Sequence, residues 1–231
     1  MIETKDINGI VVIDKPEGMS SFSAVKLVKK ILNVKKAGHM GTLDPLASGV
    51  LVIGLGKATK LFDECLKQEK EYYAEFKFGI ETDTLDREGK VIARDKNVHV
   101  SYKDIKAVLP EFVGKQLQMP PAYSAKKIDG KKACDLARLG EEVNLEPKEV
   151  EVTELTYRGW QKKNTYAVKI RCKSGFYVRS LGRDIAKRLN TYATTVCIRR
   201  LKCSGFNILH AQPLEELEQG KAIIYKLAEG K

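Results

Sequence analysis

Residues 38–56 read GHMGTLDPLASGVLVIGLG. The second half, GVLVIG at 49–54, is too short for a helix, wholly apolar and rich in β-branched residues, so it reads as a buried strand. The first half is glycine-rich and small, which reads as a loop over residues 36–49. That loop holds Asp44, one acid among glycines and apolar residues, in a chain of formal net charge +11. An Asp-Pro pair commonly marks a turn whose carboxylate caps backbone groups. The placement of this one before a buried strand raises the question of what else the charge is for.

Upstream, NGIVVIDK forms a strand ended by Pro16 and Gly18. Ser20 or Ser21 then caps a helix with Val25, Val28, Ile31 and Leu32 at helical spacing and lysines on its other face. Downstream, ATKLFDECLKQ reads as a helix with Leu61, Phe62, Cys65 and Leu66 inward. From Glu71 to Phe78 the residues alternate, with Tyr72, Ala74, Phe76 and Phe78 on one face of a half-buried strand. DREG at 86–89 is a turn before the strand KVIAR, and Ser101 with Asp104 has the spacing of a capping box. The stretch from Gln118 to Gly140 begins with prolines, contains a basic turn and ends in a short helix. The strands VEVTELTYRG and TYAVKIRC follow, then a helix carrying Val178, Leu181, Ile185 and Leu189, the strand TTVCIRRLKCSGF, and a last helix opened by Pro213. Strands and helices mix without a βαβ rhythm, and neighbouring strands are hairpin-close. The expected fold is α+β, a mixed and mainly antiparallel sheet flanked by helices.

The positive charge is segregated. Lys26, Lys29, Lys30, Lys35 and Lys36 run without an intervening acid, and Lys126, Lys127, Lys131, Lys132 and Arg138 face only Asp129 and Asp135. From Lys162 to Lys202 Asp184 is the single acid. Such clustering suits a polyanion, because each phosphate neutralised releases condensed counterions. No helix pairs these lysines with a broad apolar face, so an anionic membrane fits less well. No apolar run approaches the roughly 18 residues of a membrane span, and the acidic N-terminal stretch does not read as a signal peptide. Five cysteines without a CxxC pair argue against both a disulfide framework and a zinc site, and a reducing cytoplasm is the expected location.

Two other chemistries fail on spacing. GLGKAT at 54–59 lacks the G-x-x-x-x-G-K-[ST] spacing of a phosphate loop, and Thr59 stands where G-x-G-x-x-G needs its third glycine. His39, His99 and His210 are far apart in sequence, with no partner at metal-ligand spacing.

The segment GHMGTLDPLASGVLVIGLGKATK closely resembles the catalytic motif of the TruB family of pseudouridine synthases. NGIVVIDKPEGMSS, KEYYAEFKFGIETDTLD, PPAYSAKKIDGKKACDLARLGEEV, CKSGFYVRSLGRDI and CIRRLKCSGF are similar to further segments of that family, so the likeness runs over roughly residues 9–206. It implies the pseudouridine synthase fold and places the catalytic aspartate at Asp44, the active-site tyrosine at Tyr72, and the family's second tyrosine and arginine at Tyr177 and Arg179. It also places an apolar pocket wall at Ile198, a residue that enters the RNA stack at His39, the motif lysine, counted among the RNA-contacting residues, at Lys15, and an RNA-gripping insertion over about 115–148 with Lys126, Lys127, Lys131 and Lys132. Where members often have tyrosine in that insertion, this chain has Cys134 or Asp135.

The implied reaction detaches uracil from ribose at nitrogen, turns it and rejoins it through carbon 5. It oxidises nothing and transfers no external group, so no cofactor or metal is expected. It needs an ionised carboxylate. Enclosure with a base opposes ionisation, whereas a neighbouring arginine favours it, and by resemblance Arg179 is that neighbour. Lysine would serve less well, since the guanidinium fork alone binds a carboxylate at two points.

The resemblance implies a monomeric, cytoplasmic tRNA pseudouridine synthase acting on position 55 of the T loop, with residues 1–231 as a single catalytic domain. Alternatives are a synthase acting on another RNA and a non-catalytic RNA-binding or RNA-folding module, for which the basic segments would suffice. Many bacterial members continue into a small β-barrel domain of the PUA type, while this sequence stops after LEELEQGKAIIYKLAEGK. That domain is expected to be absent or truncated, leaving weaker, more salt-sensitive tRNA binding with catalysis retained.

Overall fold

Every residue from Val50 to Ile53 is buried, whereas burial alternates along Lys70–Phe78; the fold is built from these two kinds of strand. The structure, a computed structural model, describes residues 6–226 except Ala125, Asp129 and Glu142, and leaves the side chains of Lys127 and Lys132 undescribed. The chain divides into two compact units, one of Met1–Tyr73 with Ile198–Lys231 and one of Ala74–Cys197.

In chain order the first unit contains β1 (Gly9–Lys15), α1 (Ser21–Leu32), β2 (Ala37–His39), β3 (Ser48–Leu55), α2 (Phe62–Lys67) and the start of β4 (Lys70–Phe78). The second contains the rest of β4, then β5 (Ile80–Thr82), β6 (Val91–Arg94), α3 (Tyr102–Val108), β7 (Gly114–Gln118), β8 (Lys127–Ile128), β9 (Lys131–Lys132), α4 (Ala133–Arg138), β10 (Lys148–Lys162), β11 (Thr165–Cys172) and α5 (Val178–Arg188). Strand β12 (Ala193–Cys203) returns the chain to the first unit, which ends with β13 (Phe206–Asn207) and α6 (Leu214–Glu218).

In the first unit β3 is the hub. It pairs antiparallel with β1 from Gly9↔Leu55 to Lys15↔Gly49 and with β2 from Ala37↔Leu55 to His39↔Ile53. It pairs parallel with β12 at Arg199↔Ser48 and Arg200↔Gly49. A strand covered on both faces must be apolar throughout, which is why GVLVIG has no polar alternation. Each such side chain contributes about 1.5–3 kcal/mol relative to exposure. Gly49 is needed where β3 meets β12, since a Cβ there would stand 2.3 Å from the Arg200 carbonyl oxygen and its φ is +102°. Helix α1 begins at Ser20, whose side chain accepts from the Ser23 amide at 3.0 Å, and Asn33 closes it in a left-handed conformation. Ala24, Val25 and Val28 are its buried side, and Lys29 and Lys30 lie in the last turn, where the helix dipole favours cations.

The stretch expected as loop over 36–49 includes the three-residue strand β2, because β3 still has free edge groups at residues 53–55 on that side. Phe62 is 40% exposed rather than inward, since residues 56–61 wind as a 3₁₀ helix of three residues per turn and shift the phase before α2 begins. Of the four residues expected to face inward, Cys65 is the fully buried one.

In the second unit β10 lies between two antiparallel partners, β7 (Lys148↔Gln118) and β11 (Leu155↔Ile170), with register shifts near Gly159 that mark bulges. Hairpins β5–β6 and β8–β9 are also antiparallel. Helix α3 has the expected capping box, Ser101 accepting from the Asp104 amide while Asp104 accepts from Ser101. Helix α5 buries Val178, Leu181 and Ile185, and its Gly182 lets the Phe76 ring approach so closely that a Cβ would lie 2.5 Å from it. Strand pairing is thus mixed and mainly antiparallel in an α+β fold, as expected. All five cysteines carry free thiols, and no helix among the described residues is long and apolar enough to cross a membrane.

Candidate active site

Asp44, Pro45, Leu46 and Ala47 form a turn closed by the Ala47 amide donating to the Asp44 carbonyl at 3.0 Å. Proline at the second position presets this turn. The segment around it has little regular structure, yet nearly every residue is tied. Ser21, at the start of α1, donates to the Leu43 carbonyl at 2.9 Å and accepts from the Leu43 amide at 2.8 Å. The Gly18 amide donates to the Pro45 carbonyl at 2.8 Å. Asp44 itself is half-buried.

Two buried cations support the same segment. Lys15, expected among the RNA-contacting residues, is fully buried, and its ammonium donates to the carbonyls of Pro16 (2.8 Å), Met19 (2.6 Å) and Pro45 (3.4 Å). That placement makes it an internal tie between the β1–α1 turn and the Asp44 turn, not a surface phosphate contact. Arg200 on β12 donates to the carbonyls of Val50 (2.8 Å), Thr42 (3.2 Å) and Gly41 (3.0 Å). Such burial is tolerated because carbonyl oxygens replace lost water.

His39 lies on β2 rather than in a free loop, half-buried, and its Nδ1 is buried without a hydrogen-bond partner among the described residues. Burial, assisted by the positive charge of Arg200, holds its pKa below the usual histidine value. Tyr72 is 7% exposed on the inward face of β4, and Ile198 is 4% exposed. The face chosen for Tyr72 from its alternation is the buried one.

Arg179 and Tyr177 belong to the second unit, at the start of α5. Arg179 is buried, which rules out a surface phosphate contact. Its guanidinium donates to the carbonyls of Thr84 (2.7 Å) and Tyr123 (2.9 Å) and forms an ion pair with Asp86 at 3.6 Å. Asp86 is held in turn by the Thr84 hydroxyl (2.7 Å) and the Glu88 amide (3.0 Å). The backbone of Tyr177 is gripped by one side chain: Gln118 accepts from its amide at 2.8 Å and donates to its carbonyl at 3.1 Å. Sequence reasoning missed Asp86, Gln118, Ser21 and the role of Arg200. An acid opening the glycine-closed turn DREG was the available signal for Asp86; nothing local marks Gln118 or Arg200. Of the insertion lysines, Lys126 donates to the Glu146 carbonyl at 3.2 Å and Lys131 is exposed, while the side chains of Lys127 and Lys132 lie outside the described residues.

The mixed, mainly antiparallel α+β fold is that of a pseudouridine synthase. The chain belongs to the TruB family: the model described as TruB family pseudouridylate synthase (N terminal domain) matches residues 29–178. The protein named tRNA pseudouridine synthase B of Endomicrobium trichonymphae is 40% identical over 225 residues, covering 96% of both chains. The one of that name from Caldanaerobacter subterraneus subsp. tengcongensis is 39% identical over 216 residues, covering 94% of this chain and 76% of its own. Among solved structures, a chain of a Cbf5–Nop10–Gar1 complex superposes with a TM-score of 0.71 at 29% identity, covering 91% of this chain and 54% of that one. The chain therefore spans about half the length of that structural relative.

Proposed function

We propose that this protein isomerises uridine to pseudouridine at position 55, in the T loop of tRNA, without a cofactor. The bond from N1 to C1′ breaks, the uracil turns, the bond from C5 to C1′ forms, the C5 proton passes to solvent, and N1 takes up a proton from solvent. Asp44 supplies the carboxylate that attacks or stabilises the reacting sugar or base. Tyr72 stacks on the uracil with its hydroxyl toward C5, Ile198 walls the pocket, and Arg179 favours the ionised carboxylate. Tyr177 lines the substrate site. The target base leaves the RNA stack, at a cost of a few kcal/mol, and His39 enters behind it. The insertion over about 115–148, with Lys126, Lys127, Lys131 and Lys132, grips the T arm through phosphates and bases. Residues 1–231 act as one catalytic domain, as a monomer in the cytoplasm.

The observation that carries this reading is the Asp44 turn: its main chain is fixed from several sides in a chain that belongs to the TruB family. The tRNA substrate is favoured over another RNA because relatives named tRNA pseudouridine synthase B reach 43% identity, against 29% for the Cbf5 chain. The test is tritium release from a tRNA transcript labelled at carbon 5 of uridine. Release is expected from the normal transcript and not from one with cytidine at position 55. Equal release from both, or none from either, would overturn the assignment.

A further inference from the structure

Arg200 is 1% exposed, and among the described residues no carboxylate lies within ion-pair distance of it. A guanidinium removed from water without a counter-charge is costly unless its donors are engaged. Here Nε, Nη1 and Nη2 each find a carbonyl, and the three belong to Val50, Thr42 and Gly41. These residues bracket the Asp44 turn on both sides. The parallel register sets Arg200 beside Gly49, where only glycine allows its backbone to approach, so the guanidinium originates directly beneath the start of β3. Ser21 then fixes Leu43, next to Asp44, through both of its peptide groups.

An apolar side chain of similar length could fill the same space, but it would leave three carbonyls without this donor. A lysine could engage some of them; its ammonium lacks the flat, spread fork that reaches residues 41, 42 and 50 together. The chemistry therefore needs arginine for where it puts the loop.

We propose that Arg200 is a positioning residue for the isomerisation: by holding the carbonyls on either side of the Asp44 turn it sets the carboxylate in its reactive geometry, with Ser21 acting on the same turn from α1. The proposal rests on the reading of Asp44 as the catalytic carboxylate.

The test compares wild type, Arg200→Met, Arg200→Lys and Ser21→Ala in single-turnover tritium release from saturating tRNA transcript, with the dissociation constant for the same transcript measured in parallel. A displacement of about 1 Å at a reacting group costs about 100-fold in rate, so Arg200→Met is expected to lose about that much while its tRNA affinity stays within about twofold. Arg200→Lys should regain about tenfold of the loss, and Ser21→Ala should slow turnover about tenfold at unchanged affinity. Variants as fast as an active wild type, or variants whose rate and affinity fall in the same proportion, overturn the proposal. Where Arg200→Met fails to fold by circular dichroism, Ser21→Ala and Arg200→Lys decide by the same criterion. A wild type that binds tRNA without releasing tritium sinks the proposed function and this inference together; equal rates across an active series sink the positioning role alone.

Discussion

Asp44→Asn is expected to stop tritium release from labelled tRNA, with a rate loss on the order of 10⁴-fold or more, the scale seen when a nucleophile is removed. Affinity for the transcript should persist. Asparagine keeps the shape and removes the charge, and the bonds that shape the turn run through main-chain groups of Leu43, Asp44 and Pro45. The comparison separates chemistry from docking. A non-catalytic RNA-binding module would show no release from either protein and the same binding in both. Turnover that survives the substitution would remove Asp44 from the mechanism.

Arg179→Met has the second large expected effect, and it acts on stability as well as rate. The arginine and Asp86 are 5% and 8% exposed. Deleting one partner of a buried ion pair leaves the other charge uncompensated and typically costs about 3–5 kcal/mol. The Thr84 and Tyr123 carbonyls also lose their donor. The Thr84 hydroxyl and Glu88 amide remain on Asp86, which holds the loss near the lower end of that range. Urea unfolding should show a lowered midpoint for Arg179→Met. The double variant Arg179→Met with Asp86→Asn should recover part of the lost stability, because it removes the stranded charge, yet remain inactive on the proposed reading. Wild-type stability in Arg179→Met would show that the pair carries no net weight in the fold.

Much of this architecture was legible because local rules and tertiary demands agreed. The unbroken apolar run before Gly54 gave a strand buried on both faces, and alternation from Glu71 to Phe78 put Tyr72 on the inner face, as observed. Ser20, Ser101 and Asp104 marked helix starts through capping chemistry that operates within three residues. What escaped was nonlocal. Lys15 and Arg200 are residue types of the surface, yet both are buried: Lys15 donates to carbonyls 1, 4 and 30 residues away along the chain, and Arg200 to carbonyls 150 to 159 residues away. Gln118 reaches Tyr177 across 59 residues. No periodicity encodes such long-range contacts. The resemblance to a family points to Asp44, whereas the bonds from Ser21 and Lys15 that keep its turn in place join segments up to 30 residues apart.

The two bonds between Ser21 and Leu43 also bear on motion. Irregular segments usually exchange their amide protons with water quickly, since few of those protons are sequestered. The Leu43 amide instead donates to a hydroxyl that is itself buried, 3% exposed, at the head of a helix. Its deuterium uptake should therefore resemble that of strand β3 rather than that of a loop. A segment that behaves this way arrives at its substrate already set, so encounter with RNA would reorganise the nucleic acid more than this part of the protein.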